Sequence, residues 1–467
     1  MEKIGEGLEE YRVEKDTLGE VKIPSSAYWG AQTQRALENF RISPYRMPKE
    51  IIRAIAVIKY SAAEVNSQLG LLDRRYAECI KSASEEIIYG EDFSNFPVDV
   101  FQTGSGTSTN MNVNEVISTR ANEILTGVRR TTYPIHPNDH VNMGQSSNDV
   151  IPSSIRMAVA VLIETDLLPK LNVLKETILS KSYQFRDIIK TGRTHLMDAV
   201  PISFGQEFSG WAKQIENGIE GIKGVFSRLL KLPIGGTAVG TGLNSHPEFS
   251  EKVVKVISQK IGFPFVSAEN KFECIASMDI ANEVSGYLKT IAGALMKISN
   301  DIRLMNSGPS SGFNEITIPS LQPGSSIMPG KVNPVIPEAV RMVCAKVIGN
   351  DTTISISCSL GEFELNVMLP VIGFCLVESI TLLSNASYVL AKKVIDGIKV
   401  NKNKVKEVLE KNTAVITVLA PLLGYEKSAE VYKKCLNEGK SIAQVLLEEK
   451  LVPPDKISEY LDFRKMV

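Results

Sequence analysis

No CxxC pair and no metal-type spacing occurs among the six cysteines, Cys79, Cys274, Cys344, Cys358, Cys375 and Cys435. They read as small core residues of a reduced, cytoplasmic protein, and no metal or cofactor is expected. An excess of one charge is also missing. Lys and Arg total 52 against 53 for Asp and Glu, a net charge of −1. Without a basic surplus there is little to release counterions from a phosphate backbone, so general nucleic-acid binding is excluded. Long apolar runs are scarce: Leu365–Val377 is the longest, and Asn366, Pro370 and Gly373 interrupt it. A membrane span needs about 20 apolar residues, so this run reads as a buried helix. The opening MEKIGEGLEEY carries early acids and no apolar core, so neither a secretory signal nor an Arg-rich transit peptide is expected. Internal repeats and low-complexity tracts are absent.

What is present is helical periodicity. The chain has 467 residues, 43% of them hydrophobic, which suits two or three domains or one elongated helical body. Residues Ile280, Val284, Tyr287, Ile291, Leu295, Ile298, Ile302 and Met305 recur at gaps of three and four. They form a helix stripe of about 26 residues, roughly 39 Å long. Similar patterns cover 153–190, with a kink expected at Pro169, and also 203–231, 335–357 and 363–396. The fold class is therefore mainly all-α, built around a central bundle of long helices. The texture divides the chain into a mixed, mostly helical segment 1–145, the long-helix segment 146–396, and a Lys- and Glu-rich segment 397–467 with short helices. Short strands are expected only near 12–24 and 232–246.

Between these helices lie segments rich in hydroxyls, amides and glycine. GSSIMPGKVNP (Gly324 to Pro334) combines two hydroxyls, two glycines and Lys331 with an Asn-Pro helix start. Asn333 suits an N-cap and Pro334 the first helical position, so free amides and a positive dipole end would stand near Lys331. Its spacing excludes a P-loop. The structural alternative is a surface loop leading into a capped helix. QTGSGTSTNMNVNEV (Gln102 to Val116) sets Ser105 and Thr107 around Gly106, small enough for backbone amides to approach a ligand. It lacks the third glycine of a dinucleotide fingerprint and reads equally as a Ser/Thr-capped turn. HPNDHVNMGQSSNDV (His136 to Val150) joins a turn to Ser146, Ser147 and Asn148, which suit helix capping, ligand binding or both. Its histidine pair is broken by Pro137 and does not suggest a metal. GRTHLMDAVPISFGQE (Gly192 to Glu207) places His195 between Thr194 and a Pro-bounded helix start, beside Asp198. It is a candidate proton carrier, or a structural histidine. GGTAVGTGLN (Gly235 to Asn244) reads as a tight connection between helices, with His246 structural.

Together these segments offer many neutral donors, one Lys, one His and few acids. That inventory suits a small dianion such as a dicarboxylate. Length adds a constraint. Ser146 and Ser147 precede the first long helix and Thr194 and His195 follow it, so even a kinked helix separates them by roughly 45 Å or more. If both clusters serve one site, they come from different subunits.

These segments, in this order, resemble the fumarase/aspartase superfamily, and most closely the class II fumarases. The likeness starts at YWGAQTQRALENFRIS (Tyr28 to Ser43) and runs through QTGSGT, HPND, QSSND, GRTHL, GGTAVGTGLN, GSSIMPGKVNP, GND and FELNV. Aspartate ammonia-lyase is the nearest rival. NVMLPVIG and VNMGQ have an aspartase flavour, whereas WGAQTQR, QTGSGT, QSSND and MPGK look like fumarase versions. A non-catalytic helical scaffold is a further alternative. The resemblance implies a three-domain fold, a homotetrameric core with active sites shared between subunits, and reversible trans addition of water between fumarate and L-malate through an aci-carboxylate. By the same resemblance His195, Ser325 and Glu338 are catalytic. Ser105, Gly106, Thr107, Ser146, Ser147, Asn148, Thr194, Ser326, Lys331, Val332 and Asn333 would bind the dicarboxylate. His136, Pro137, Asn138 and Asp139 would form a second dicarboxylate site, although Tyr133 stands where bacterial fumarases often carry a basic residue. No cofactor is implied, and the protein would be cytoplasmic.

Overall fold

In a computed structural model of the chain, residues 10–467 are described. The stretch 1–9, which carries most of the opening read as free of targeting signals, lies outside them. The chain is mainly helical, as the periodicity predicts. By internal contacts it divides into two compact units, each taking three stretches of chain. One holds residues up to Leu167, with Gly221–Lys289 and Lys346–Leu382; the other holds Leu168–Glu220, Thr290–Ala345 and Leu383–Val467.

The first unit opens on a hairpin of β1 (Tyr11–Asp16) and β2 (Gly19–Pro24), where strands are expected. Helices α1 (Ala31–Asn39), α2 (Lys49–Gln68) and α3 (Arg74–Tyr89) follow. Helix α2 is buried on most of its circumference because it packs against α3, against α5 (Ser147–Leu162) and against α8 (Phe249–Ile261). Helix α4 (Thr107–Thr126) buries an unusually polar face. Asn112 donates to the Asn95 carbonyl at 2.9 Å, and Asn122 to the carbonyls of Arg130 and Ile135 at 2.8 Å each. These bonds satisfy buried amides and pin the loop that leads to His136.

The first long helical stretch starts at Ser147, six residues before the apolar periodicity does, because Ser146 and Asp149 form a reciprocal capping box. It runs through a π-helical turn, Ile163–Leu167, into α6 (Leu168–Gln184), and stops before the predicted 190. The wide turn sits just ahead of Pro169, where a proline cannot donate to the preceding turn. The other long helices are α7 (Phe204–Leu229), α10 (Asp279–Met305), α11 (Val335–Cys358) and α12 (Leu369–Lys393), with the short α9 (Lys271–Ala276) between α8 and α10. Small residues set the helix spacing. A side chain at Gly221 would strike the ring of Tyr287 in the first unit, and one at Gly218 would meet Ile291 in the second.

Three sequence expectations need correction. The last long helix begins at Leu369, not 363, because Gly361–Glu362 and Leu365–Asn366 form a small hairpin, so Leu365–Val377 is only partly helical. Of the 232–246 stretch only Leu232 is strand, as the second residue of Lys231–Leu232, which pairs in parallel with Val266–Ser267; the rest is Gly-rich turn. Ahead of α7, which begins at Phe204 close to the expected 203, lies an unexpected hairpin of β3 (Ile189–Thr194) and β4 (Met197–Ser203) that carries His195 and takes in residues 189–190, read as the end of a helix.

The second unit ends in short helices, Lys402–Glu410, Tyr425–Glu438 and Ile442–Glu448. They close around their own apolar cluster, including Val415, Leu419, Val431, Val445 and Leu446. Five of the six cysteines are buried, Cys79 is half-buried, and all six are free thiols. Burial pushes the Cys344 thiol up to about 12. Among the described residues one helical stretch, Leu369–Gly397, is long and apolar enough to cross a membrane. Two thirds of its apolar window (67%) is buried inside the structure, as in a core helix.

Candidate active site

In the first unit two helix starts stand side by side. Gly106 holds a left-handed φ of 73° at the N-terminus of α4, and a side chain there would press on Ile151, one turn into α5. The Ser105 and Thr107 hydroxyls hydrogen-bond each other at 2.8 Å. One turn along α4, Asn110 Nδ2 donates to Ser147 Oγ at 3.1 Å. The backbone N–H of Asn148 donates to Ser146 Oγ at 3.2 Å. The structure thus brings Ser105, Gly106 and Thr107 near Ser146, Ser147 and Asn148, with two positive helix ends among neutral donors.

The Gly-rich loop after α7 completes this cluster. Asn148 Nδ2 donates to the Ala238 carbonyl at 2.8 Å. Asp149 Oδ2 accepts from the amides of Gly235 and Thr237 at 2.9 Å each, while Oδ1 accepts from the Ser146 amide at 2.9 Å. Asp149 is fully buried. Loss of solvent pushes its carboxyl up to about 6, against the pull of these amides and of Lys59. Lys59 is fully buried too, and burial draws its ammonium down to about 7.

His136, Pro137, Asn138 and Asp139 form a π-helical turn at Pro137–Val141. His136 Nδ1 accepts from the amides of Asn138 and Asp139 at 3.2 and 3.3 Å, and His140 Nδ1 accepts from the His136 amide at 2.8 Å. Burial holds the His140 imidazolium below its usual range. A cavity of about 480 Å³ joins this turn to Thr107 and Ser108, with Arg35 and Gln32 on its wall. Arg35 is paired with Asp16 at 2.8 Å. Among the described residues, no group of three or more His, Cys, Asp or Glu side chains is arranged to hold a metal ion.

In the second unit His195 and Leu196 are the two turn residues of the β3–β4 hairpin, at φ 58° and 60°. Paired positive φ values are the geometry of a tight hairpin turn, normally filled by Asn or Gly. His195 is exposed in the single chain, as are Thr194, Leu196 and Met197. Below the turn the hairpin is held firmly. Arg193 pairs with Glu315 at 2.6 Å and Lys190 with Glu315 at 2.8 Å, and Glu315 is 1% exposed. Asn412 Nδ2 donates to the Ala199 carbonyl at 2.7 Å.

The Gly324–Pro334 loop is exposed and folded on itself. Gly324 N donates to the Lys331 carbonyl at 2.8 Å, and Ser325 Oγ accepts from the amides of Ile327 and Met328 at 3.2 and 2.8 Å. Two amides on one hydroxyl oxygen favour negative charge at that oxygen. Ser326, Lys331 and Val332 are exposed. Asn333 does not cap the next helix as expected. Its amide donates back to the Gly324 carbonyl at 2.5 Å, and α11 starts at Val335 with Glu338 in its first turn. Among the described residues no hydrogen bond or ion pair ties the His195 turn to this loop. Sequence reasoning missed Lys59, Glu315 and Asn412, whose partners carry no local pattern, and also Asp149, which the Ser-x-x-Asp spacing from Ser146 could have marked as a capping box.

The helical scaffold that carries these hydroxyl-rich helix starts, the histidine turn and the Lys-bearing glycine loop is that of a lyase family. Residues 19–349 match the family model described as Lyase, and residues 415–467 the one described as Fumarase C C-terminus. A class II fumarate hydratase of Xylella fastidiosa is 49% identical over 99% of this chain and 96% of its own. Another, of Thermus thermophilus, is 50% identical over 94% of each. The crystal structure of a class II fumarase from Schistosoma mansoni superposes with a TM-score of 0.95 at 39% identity, covering 98% of this chain and 99% of that one. The chain belongs to the class II fumarase family.

Proposed function

We propose that the protein is a fumarate hydratase that interconverts L-malate and fumarate by trans elimination and addition of water. The observation that carries this reading is near-full-length identity of about half to class II fumarate hydratases, in a chain that keeps GSSIMPGKVNP intact. Removing the C3 proton of malate loads extra negative charge onto the neighbouring carboxylate. Donors fixed before the reaction then stabilise the aci-carboxylate more than the ground state. Lys331, Asn333 and the start of α11 serve that charge. Ser105, Gly106, Thr107, Ser146, Ser147, Asn148, Thr194, Ser326 and Val332 hold the dicarboxylate. Ser325 takes the proton as an oxyanion, a role that its two amide donors favour. His195, tuned by Glu338 through water, protonates the departing hydroxyl.

In this reading the protein is a cytoplasmic homotetramer, and one site draws on several copies. The apolar Leu196 and Met197 flanking His195 are 65% and 70% exposed in the single chain, as befits a turn that inserts into a neighbour. Segments 1–145, 146–396 and 397–467 are its three domains. His136, Pro137, Asn138 and Asp139 form a second dicarboxylate site opening on the cavity near Thr107. The proposed chemistry uses protein groups alone.

The test is fumarate formation followed by absorbance from L-malate and, in parallel, from L-aspartate. Turnover of malate alone is expected. Aspartate alone would make the protein an ammonia-lyase, and turnover of neither would leave a scaffold.

A further inference from the structure

We infer that Lys59, which lies outside every motif above, is a positioning cation that fixes the Gln145–Asn148 turn for one carboxylate of the substrate; this rests on the proposed function. Lys59 sits in the middle of α2 with no exposed surface. Its Nζ donates to Asn142 Oδ1 at 2.8 Å and to Gln145 Oε1 at 2.9 Å, both in the stretch that leads into α5. Asn142 Oδ1 also accepts from Asn110 Nδ2 at 3.2 Å and from Asn114 Nδ2 at 3.3 Å. Asn110 Nδ2 in turn reaches Ser147 Oγ at 3.1 Å. A continuous set of partly buried hydrogen bonds therefore runs from the ammonium to a hydroxyl proposed to touch substrate.

No carboxylate takes these ammonium hydrogens among the described residues. Asp149 is the one acid whose charge acts on Lys59, and its oxygens are engaged by the amides of Ser146, Gly235 and Thr237. A buried ammonium held only by amide oxygens is costly, and a methionine would fill the space at less expense of solvation. While protonated, at and below about pH 7, Lys59 adds its charge to the positive end of α5 and favours an anion at Ser147 and Asn148. The buried carbonyl oxygens of Asn110 and Asn114 have no partner, so the network is oriented by the cation, not by mutual saturation.

Two full-length variants test this. Lys59→Met removes the charge and keeps the volume; Asn142→Asp keeps the size and gives the ammonium a neutralising carboxylate, while losing the Asn142 Nδ2 bond to the Gln145 carbonyl. Steady-state L-malate dehydration and succinate binding by calorimetry are measured beside the parent at about pH 6.5, where the Lys59 ammonium is the major form, with assembly checked by sedimentation. In both variants KM for malate and Kd for succinate rise at least about ten-fold while kcat changes by less than about three-fold, the split that lost ground-state binding produces. A loop-folding role alone would leave succinate affinity within about two-fold of the parent in an assembled variant, and that result overturns the inference. If Lys59→Met does not fold, Asn142→Asp decides by the same criterion. A parent that neither dehydrates malate nor binds succinate would instead sink the functional reading.

Discussion

His195 occupies a left-handed backbone position that most side chains avoid, and Asn is among the few that tolerate it. His195→Asn therefore removes the imidazole without disturbing the turn. In steady-state assays it should lower kcat by at least about 10², as should Ser325→Ala, the lower bound for an acid–base group. Near-normal turnover in an assembled variant would remove that residue from the mechanism. Lys59 makes a second residue-scale prediction. Its folded pKa of about 7 lies below its ordinary 10.5, so the folded protein binds fewer protons than the unfolded chain between those values. The stability contributed by the neutral amine is present above 10.5 and lost as pH falls through 7. Urea unfolding from pH 7 to 9 should thus show the parent gaining on Lys59→Met, by at most about 1.4 kcal/mol per pH unit. A flat or falling difference would mean that the ammonium is not desolvated. Motif residues such as Ser105, Ser146 and Lys331 were legible because hydroxyls, glycines and a lysine cluster locally. Lys59 and Glu315 were not, since their partners are distant in sequence.

At the scale of elements, long helices were readable wherever apolar residues kept a stripe, as in Ile280 to Met305, where the helix spans Asp279–Met305. The β3–β4 hairpin was not. Its outward residues are a mixture, Pro201 obscures the second strand, and its order comes from Glu315 and Asn412, which lie far along the chain. Glu315→Gln should destabilise the fold by about 2–3 kcal/mol. That is less than the full cost of breaking a buried pair, because Lys190 keeps Glu207 at 2.9 Å. Chemical denaturation measures it, and a loss under about 0.5 kcal/mol, the range of an ordinary surface substitution, would show the hairpin is held otherwise. The loop into α4 depends on close approach at Gly104 to the segment before α12, where any side chain would collide with the Val367 carbonyl. Gly104→Ala should cost more than about 3 kcal/mol or yield no soluble protein; an unchanged melting temperature would contradict that packing.

For the whole molecule, the helical class followed from periodicity and the chemistry from the order of its polar segments. The proposed assembly draws on chain order: in sequence, the helical residues Ser147 to Gln184 come between the Ser146–Asn148 cluster and His195. The exposed Leu196, Met197 and Ile327 point the same way, since large apolar side chains beside functional groups seek cover in a partner. In the proposed function one dicarboxylate site takes His195 from one copy and Ser325 from another. Mixing the inactive His195→Asn and Ser325→Ala proteins, dissociating them together and reassembling them tests this directly. Random reassembly of equal amounts should restore about a quarter of parental malate turnover, because that share of sites receives both intact residues. Reassembled mixtures no more active than either variant alone would contradict it.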